Sequence, residues 1–286
     1  MELTKKKSGL ALVVVALAAV LAFGLVGCGG SNSSSSSAAD SGAASDDKVI
    51  TVAASPTPHA EILNEAVKPV LEKEGWTLEV KEFTDYVLPN TATEDGEVDA
   101  NYFQHVPYLN DFNEQNGTHL VAVADVHVEP MKVFAGKTAS LDALADGAKV
   151  AVPNDTTNEA RALLLLAAEG LIELDDPTNP VATTKNITAN KLNLEFVEVE
   201  AATVPTVLAD VDIAVINGNY AMGAELSDDL VLATESATNN PYVNVVVVKE
   251  GNEDSEKTKA LVAAFASQEC KDYVAKNFGD VVVLAE

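Results

Sequence analysis

Arg161 is the one arginine among 18 basic residues; every other positive charge in the chain is a lysine. The two types serve solubility equally well. They differ where a carboxylate must be held, because only the planar guanidinium offers a fork of donors. Arg161 follows Asn154-Asp155-Thr156-Thr157-Asn158-Glu159, a segment that leaves a strand and opens a helix, with Thr156 and Glu159 spaced as a capping box. Free N–H groups and the helix dipole at such a start favour negative charge. Arg161 stands about one turn in, on the face of Asn158. These features point to a ligand carboxylate; the alternative is an ion pair on the helix surface.

A second group is aromatic. Tyr86, Tyr102, Phe103 and Tyr108 fall within 23 positions of a chain whose aromatic content is only 5%. A core accounts for one or two of them. Four, mixed with Gln104 and His105, suit the wall of an apolar pocket with a few polar groups to fix orientation. Asn217-Gly218-Asn219-Tyr220 directly follows the strand that ends at Ile216, and Asn244 opens another strand. Uncharged amides at strand ends can hold an ammonium or a carboxylate without adding charge.

Other chemistries find less support. The sequence contains no G-x-S-x-G elbow, no phosphate-cradling glycine loop and no H-E-x-x-H, so it does not read as an enzyme. His59, His105, His119 and His127 could meet around zinc or manganese, and a metal-binding lipoprotein is the main alternative. The usual ligand spacing is absent, however. A non-transport surface adhesin is the remaining alternative, and it requires no small-molecule site. No cofactor is implied.

The elements that position these residues alternate between strand and helix. Val49–Ala53, Leu78–Phe83, His119–Val128, Lys132–Ala135, Ala148–Val152, Asn193–Val199, Ile213–Ile216 and Val243–Val248 read as strands. A helix is expected from about Ala60 to Glu74, kinked or broken by Pro69. Others start near Leu88-Pro89 and Val106-Pro107, the second stopping at Gly117, where proline suits the first helical position. A long apolar helix runs to Gly170, and two more helices precede Val281–Leu284. The pattern predicts an α/β architecture with largely parallel sheets. Cys270 falls in one of the C-terminal helices, and a buried, unreactive place is expected for it.

The N-terminus carries a different message. Lys5, Lys6 and Lys7 precede an apolar run from Leu10 to Val26, and Leu25-Val26-Gly27-Cys28 forms a lipobox. Residues 1–27 are expected to be removed as a signal peptide and Cys28 to be acylated; a spanning helix is the alternative. Residues 28–47 supply the lipidated cysteine and a Ser/Gly/Ala tether without core-forming residues. The folded part, residues 48–286, divides into a first lobe (48–135 and 245–286) and a second (136–244). The chain has net charge −26, and removal of residues 1–27 makes it more negative. This balance disfavours nucleic acid as a partner.

DYVLPN, DANYFQHVPYL, VAVPND with NEARALLLLAAEGLI, VDIAVINGNYA and SATNNPYVNVVVV resemble the successive blocks of the NlpA family. These are methionine-binding lipoproteins that serve an ABC importer. The blocks occur in family order over nearly all of the folded part. The resemblance implies a type II periplasmic-binding-protein-like fold, in which two α/β lobes close on an amino acid in the cleft between them. It implies that Arg161 and Asn217 hold the α-carboxylate and α-amino ends, helped by Asn244. Tyr86, Phe103, His105 and Tyr108 would line the side-chain pocket, with Asn154 at its mouth. The Ala54–Ala60 segment departs from the glycine-containing turn of the family. The implied partners are methionine, L or D, the importer's permease and ATPase, and the extracytoplasmic face of the cell membrane. A thioether suits such a pocket, since each contact with an aromatic edge contributes about 0.3–1.5 kcal/mol.

Overall fold

Apolar runs punctuated by small and polar residues give strands buried on both faces. The structure, a computed structural model, describes residues 48–285; Cys28 and the tether lie outside the described residues. In chain order the strands are β1 (Val49–Ala54), β2 (Thr77–Glu82), β3 (Ala100–His105), β4 (Leu120–Val128), β5 (Lys132–Ala135), β6 (Lys149–Pro153) and β7 (Glu173–Leu174). They continue with β8 (Ile187–Ala189), β9 (Glu195–Val199), β10 (Ile213–Ile216), β11 (Val231–Thr234), β12 (Val243–Lys249) and β13 (Val283–Leu284). The α-helices are α1 (Lys68–Lys73), α2 (Leu88–Glu94), α3 (Val106–Asn116), α4 (Thr156–Ala168), α5 (Val204–Val207), α6 (Gly218–Gly223), α7 (Glu256–Phe265) and α8 (Gln268–Phe278).

Two sheets carry the fold. One has the order β13-β4-β12-β3-β1-β2, the other β11-β5-β10-β6-β9, and β7 pairs with β8 apart from both. Both main sheets are mixed rather than largely parallel. β1 lies parallel to β2 and β3, and β6 parallel to β9 and β10. β5 and β12 run antiparallel to their neighbours. β5 and β12 are also the strands at which the chain changes sheets: β4 of the first sheet passes to β5 of the second through residues 129–131, and β11 of the second returns to β12 of the first through 235–242. The two passages run side by side, with Glu235 N–H donating to Met131 O at 2.9 Å. Lys132–Ala135, expected in the first lobe, therefore pair in the second sheet, and Asn244, expected in the second lobe, pairs in the first.

Side chains follow the two-residue period of strands. Ile50, Val52, Val246 and Val248 face a core closed by Leu63, Leu71, Leu261 and Phe265, while Val245 and Val247 pack on Leu109 from the other face. In the second sheet Val150, Val152, Ile213 and Val215 meet Leu163 and Leu166 of α4. Ala151, Ala214 and Ile216 meet Val204 and Leu208 on the opposite face. Cys270 is buried in the first core. The helix expected before Gly75 is wound partly as π turns, over Pro56–Ala60 and Leu63–Val67, before α1 begins. Lys68 N–H reaches back to Leu63 O just ahead of Pro69, which has no N–H of its own to give.

Candidate functional site

Strand ends from both sheets converge on one narrow cavity, with about 20 Å³ of free space for a water-sized centre. The end of β3 supplies Phe103, Gln104 and His105. The first turns of α4 supply Asn158 and Arg161, and the passage from β10 into α6 supplies Asn217, Gly218 and Asn219. Tyr86, Tyr108, Glu129 and Asn244 complete the wall.

One side is aromatic. The Tyr86 ring lies 5.8 Å from Phe103 and 5.7 Å from Tyr108, and Phe103 meets Tyr108 edge-on at 6.2 Å. Two hydroxyls pin the rings: Tyr108 donates to Tyr86 O at 3.1 Å, and Tyr86 to Asn219 Oδ1 at 2.6 Å. Burial raises the Tyr86 and Tyr108 hydroxyl pKa values, so both remain neutral donors.

The other side is polar, and its donors and acceptors are assigned in sequence. His105 occupies the N-cap of α3, where its Nδ1 accepts from Tyr108 N–H at 3.1 Å. Its Nε2 therefore carries the proton and donates to Asn158 Oδ1 at 3.1 Å. Burial, reinforced by Arg161, lowers the His105 pKa to about 3. Asn158 Oδ1 also accepts from Asn217 Nδ2 at 2.7 Å, and the buried Asn217 Oδ1 has no hydrogen-bond partner among the described residues. The cap of α4 is Asp155, not Thr156. Asp155 Oδ1 accepts from Asn158 N–H at 3.1 Å and from its side-chain Nδ2 at 2.8 Å, so one carboxylate both starts the helix and aims Asn158. Glu159 turns away to accept from Thr184 N–H.

Arg161 is 3% exposed, so it is not a surface residue. Its Nε donates to Glu235 Oε1 at 3.0 Å, and its Nη2 to Glu235 Oε2 at 2.5 Å and to Glu129 O at 2.8 Å. The guanidinium also covers the Tyr242 ring at 4.3 Å. The fork read as a ligand clamp is thus held by Glu235, and Nη1 has no hydrogen-bond partner among the described residues.

Behind the polar end, Glu129, His59 and His127 offer ligand atoms all within 4.8 Å of one another, the one such group of three among the described residues. Hydrogen bonds tie His127 to Glu129 and His59 to Asn244, and the buried His59 Nδ1 has no hydrogen-bond partner among the described residues. The Tyr102 hydroxyl finds its partner in His127 Nδ1 at 2.6 Å, so His127 Nε2 carries the proton and donates to Glu129 Oε1 at 2.8 Å. His59 Nε2 donates to Asn244 Oδ1 at 3.1 Å and lies 3.2 Å from the same Glu129 oxygen. Burial lowers the His59 pKa to about 4, against the pull of Glu129. Burial works to raise the Glu129 carboxyl, but the adjacent imidazoles and Arg161 outweigh it and hold it below the usual range. His105 takes no part in this group, and His119 lies on the surface beside Glu94.

A profile of the family described as NlpA lipoprotein matches residues 50–285. The chain belongs to the NlpA lipoprotein family. It is 40% identical over 277 residues to the methionine-binding lipoprotein MetQ of Bacillus subtilis, covering 95% of this chain and 97% of that protein. The D-methionine-binding lipoprotein MetQ of Escherichia coli is 38% identical over 265 residues, covering 91% and 93%. A nutrient-binding protein from Burkholderia cenocepacia, solved bound to methionine, superposes with a TM-score of 0.79 at 41% identity, over 83% of this chain and all of that one. The fold is accordingly that of a two-lobed periplasmic binding protein.

In this NlpA lipoprotein the cavity gathers Tyr86, Phe103, His105, Tyr108, Arg161, Asn217 and Asn244, all singled out from the sequence. Asn154, expected at the mouth, is exposed and does not line it. Tyr102 lies behind the cavity in the first core. Nothing in local pattern singles out Glu129 or Glu235: each is one of 44 acidic residues. Asn158 did carry a signal, its place on the Arg161 face of α4. No helix among the described residues is long and apolar enough to cross a membrane.

Proposed function

We propose that this chain captures methionine, L, D or both, outside the cytoplasmic membrane and delivers it to an ABC importer. The observation that carries the reading is a single cavity with an aromatic wall at one end and unmatched donors and acceptors at the other. A zwitterion with a flexible thioether tail fits that division. Arg161 Nη1 and the Asn244 amide would meet the α-carboxylate, Asn217 Oδ1 would face the α-ammonium, and Tyr86, Phe103 and Tyr108 would enclose the thioether. The B. subtilis and E. coli relatives, named for methionine and D-methionine, support the ligand class.

The lobes would be the halves built on the two sheets, hinged at residues 129–131 and 235–242. Acylation of Cys28 would hold the protein at the membrane, with residues 29–47 as the tether. The partners would be the importer's permease and ATPase. Native mass spectrometry of the purified protein should release methionine. After unfolding and refolding to strip bound ligand, calorimetry should show saturable binding. A refolded, stripped protein that binds neither enantiomer would sink this reading.

A further inference from the structure

Glu129 is a buried carboxylate whose two oxygens have different surroundings. Oε1 receives the His127 N–H at 2.8 Å and lies 3.2 Å from His59 Nε2. Oε2 has no hydrogen-bond partner among the described residues, although Glu129 lines the cavity. The neighbouring backbone makes room for it. A Cβ at residue 218 would fall 2.8 Å from Glu129 Cβ and 3.0 Å from Oε2, so glycine is what allows this approach. The nearby Arg161 does not neutralise Glu129, because its fork is committed to Glu235. One buried negative charge is therefore left over on the cavity wall, which also carries Asn217, whose Oδ1 has no hydrogen-bond partner among the described residues. A buried charge without a counter-charge is costly, and a cation delivered by the ligand would offset that cost.

We infer that Glu129, aimed by His127 and Tyr102, is the counter-ion for the ligand's α-ammonium and makes the site select free α-amino acids over isosteres lacking that charge. This inference rests on the methionine reading above and adds a residue and a selectivity to it. The hydrogen bond from His127 fixes the carboxylate plane. Tyr102 fixes the His127 tautomer from the core side, so the arrangement is set before ligand arrives. Glu129 Oε2 and Asn217 Oδ1 would share the three ammonium protons. A hydroxyl in the same place would bring neither the charge nor enough protons for both acceptors.

The test pairs a change in the ligand with a change in the protein. L-Methionine and its 2-hydroxy analogue, 2-hydroxy-4-(methylthio)butanoate, are titrated into the stripped parent and into Glu129→Gln. The parent should prefer methionine by about 100-fold or more, the scale of a buried charge left unpaired. In Glu129→Gln the preference should shrink to within about ten-fold, chiefly through loss of methionine affinity, because the amide lacks the counter-charge. Retained binding of the hydroxy acid shows that the variant is folded. A parent that binds the two ligands within about five-fold overturns the inference without any variant. So does a Glu129→Gln protein that weakens both equally, the pattern of a purely structural role. Stoichiometric zinc released on denaturation would also overturn it, since Glu129 and the histidines would then be ligands. A parent that binds neither compound instead defeats the methionine reading.

Discussion

Two of the Arg161 nitrogens are bonded to the protein, the third has no hydrogen-bond partner among the described residues, and the residue lines the cavity. Removing it would leave Glu235 with only the Met131 N–H at 3.1 Å, Glu129 O without the guanidinium bond, and any ligand carboxylate without its cation. Losing one partner of a buried pair costs roughly 3–5 kcal/mol of stability. Losing a buried charge-assisted bond costs roughly 2–5 kcal/mol of binding, or about thirty-fold to several-thousand-fold in affinity. Arg161→Ala is therefore expected to lower both the ligand-free melting temperature and the methionine affinity. Arg161→Lys should recover only part of either, because an ammonium cannot reproduce the Glu235 fork. A folded Arg161→Ala protein within about three-fold of the parent would show that the guanidinium serves Glu235 alone. The contrast between Arg161 and Glu129 shows why some of the site was legible in the sequence and some was not. A lone arginine stands out against seventeen lysines, whereas a glutamate among 44 acidic residues does not. What distinguishes Glu129 is its place on the passage between the sheets, against Gly218 and two histidines, and each of these contacts spans a turn or a long separation.

At the scale of the element, α4 joins the second core to the cavity. Its inward face carries Leu163 and Leu166 into the apolar layer, and its first turn presents Asn158. The cap Asp155 couples these roles, since the same oxygen takes the Asn158 backbone and side-chain N–H groups. Asp155→Ala is expected to cost about 1 kcal/mol of stability and to weaken methionine binding as well, because Asn158 would lose the bond that aims it. Thermal melting and calorimetry report the two effects separately. A variant that loses stability but keeps full affinity would show that His105 and Asn217 position Asn158 unaided. The helix and its strand were readable from local pattern, but the cap was displaced by one residue because Thr156-x-x-Glu159 imitates a capping box. Strands such as β10 and β12 were legible as unbroken apolar runs, since both their faces are buried. The antiparallel placement of β5 and β12 was not, because pairing is decided between segments far apart in sequence and leaves no local period.

At the scale of the molecule, the two halves meet across the cavity through hydrogen bonds between side chains of both. Tyr86 reaches Asn219, His105 reaches Asn158, and the Tyr220 hydroxyl donates to Thr84 O at 3.1 Å while its ring lies 4.9 Å from Tyr86. The passages at residues 129–131 and 235–242 are bonded to each other through Met131 and Glu235, and they are the proposed hinge. A ligand that touches both halves can favour closure only by its preference for the closed state. Any group that stabilises closure without touching ligand raises the apparent affinity by the same linkage. Tyr220 is such a group, since it does not line the cavity. Tyr220→Phe keeps the ring against Tyr86 and removes one hydrogen bond, a contribution of about 0.5–1.5 kcal/mol, so methionine affinity should fall by about two- to ten-fold. Small-angle scattering should show a larger radius of gyration for the stripped parent than for the methionine complex. Tyr220→Phe should reach the compact form only at higher methionine concentration. If the stripped and bound parents scatter alike, the halves do not close on the ligand. If they differ but Tyr220→Phe binds as the parent does, the Tyr220–Thr84 bond forms equally in the open state, and closure is governed by the contacts inside the cavity.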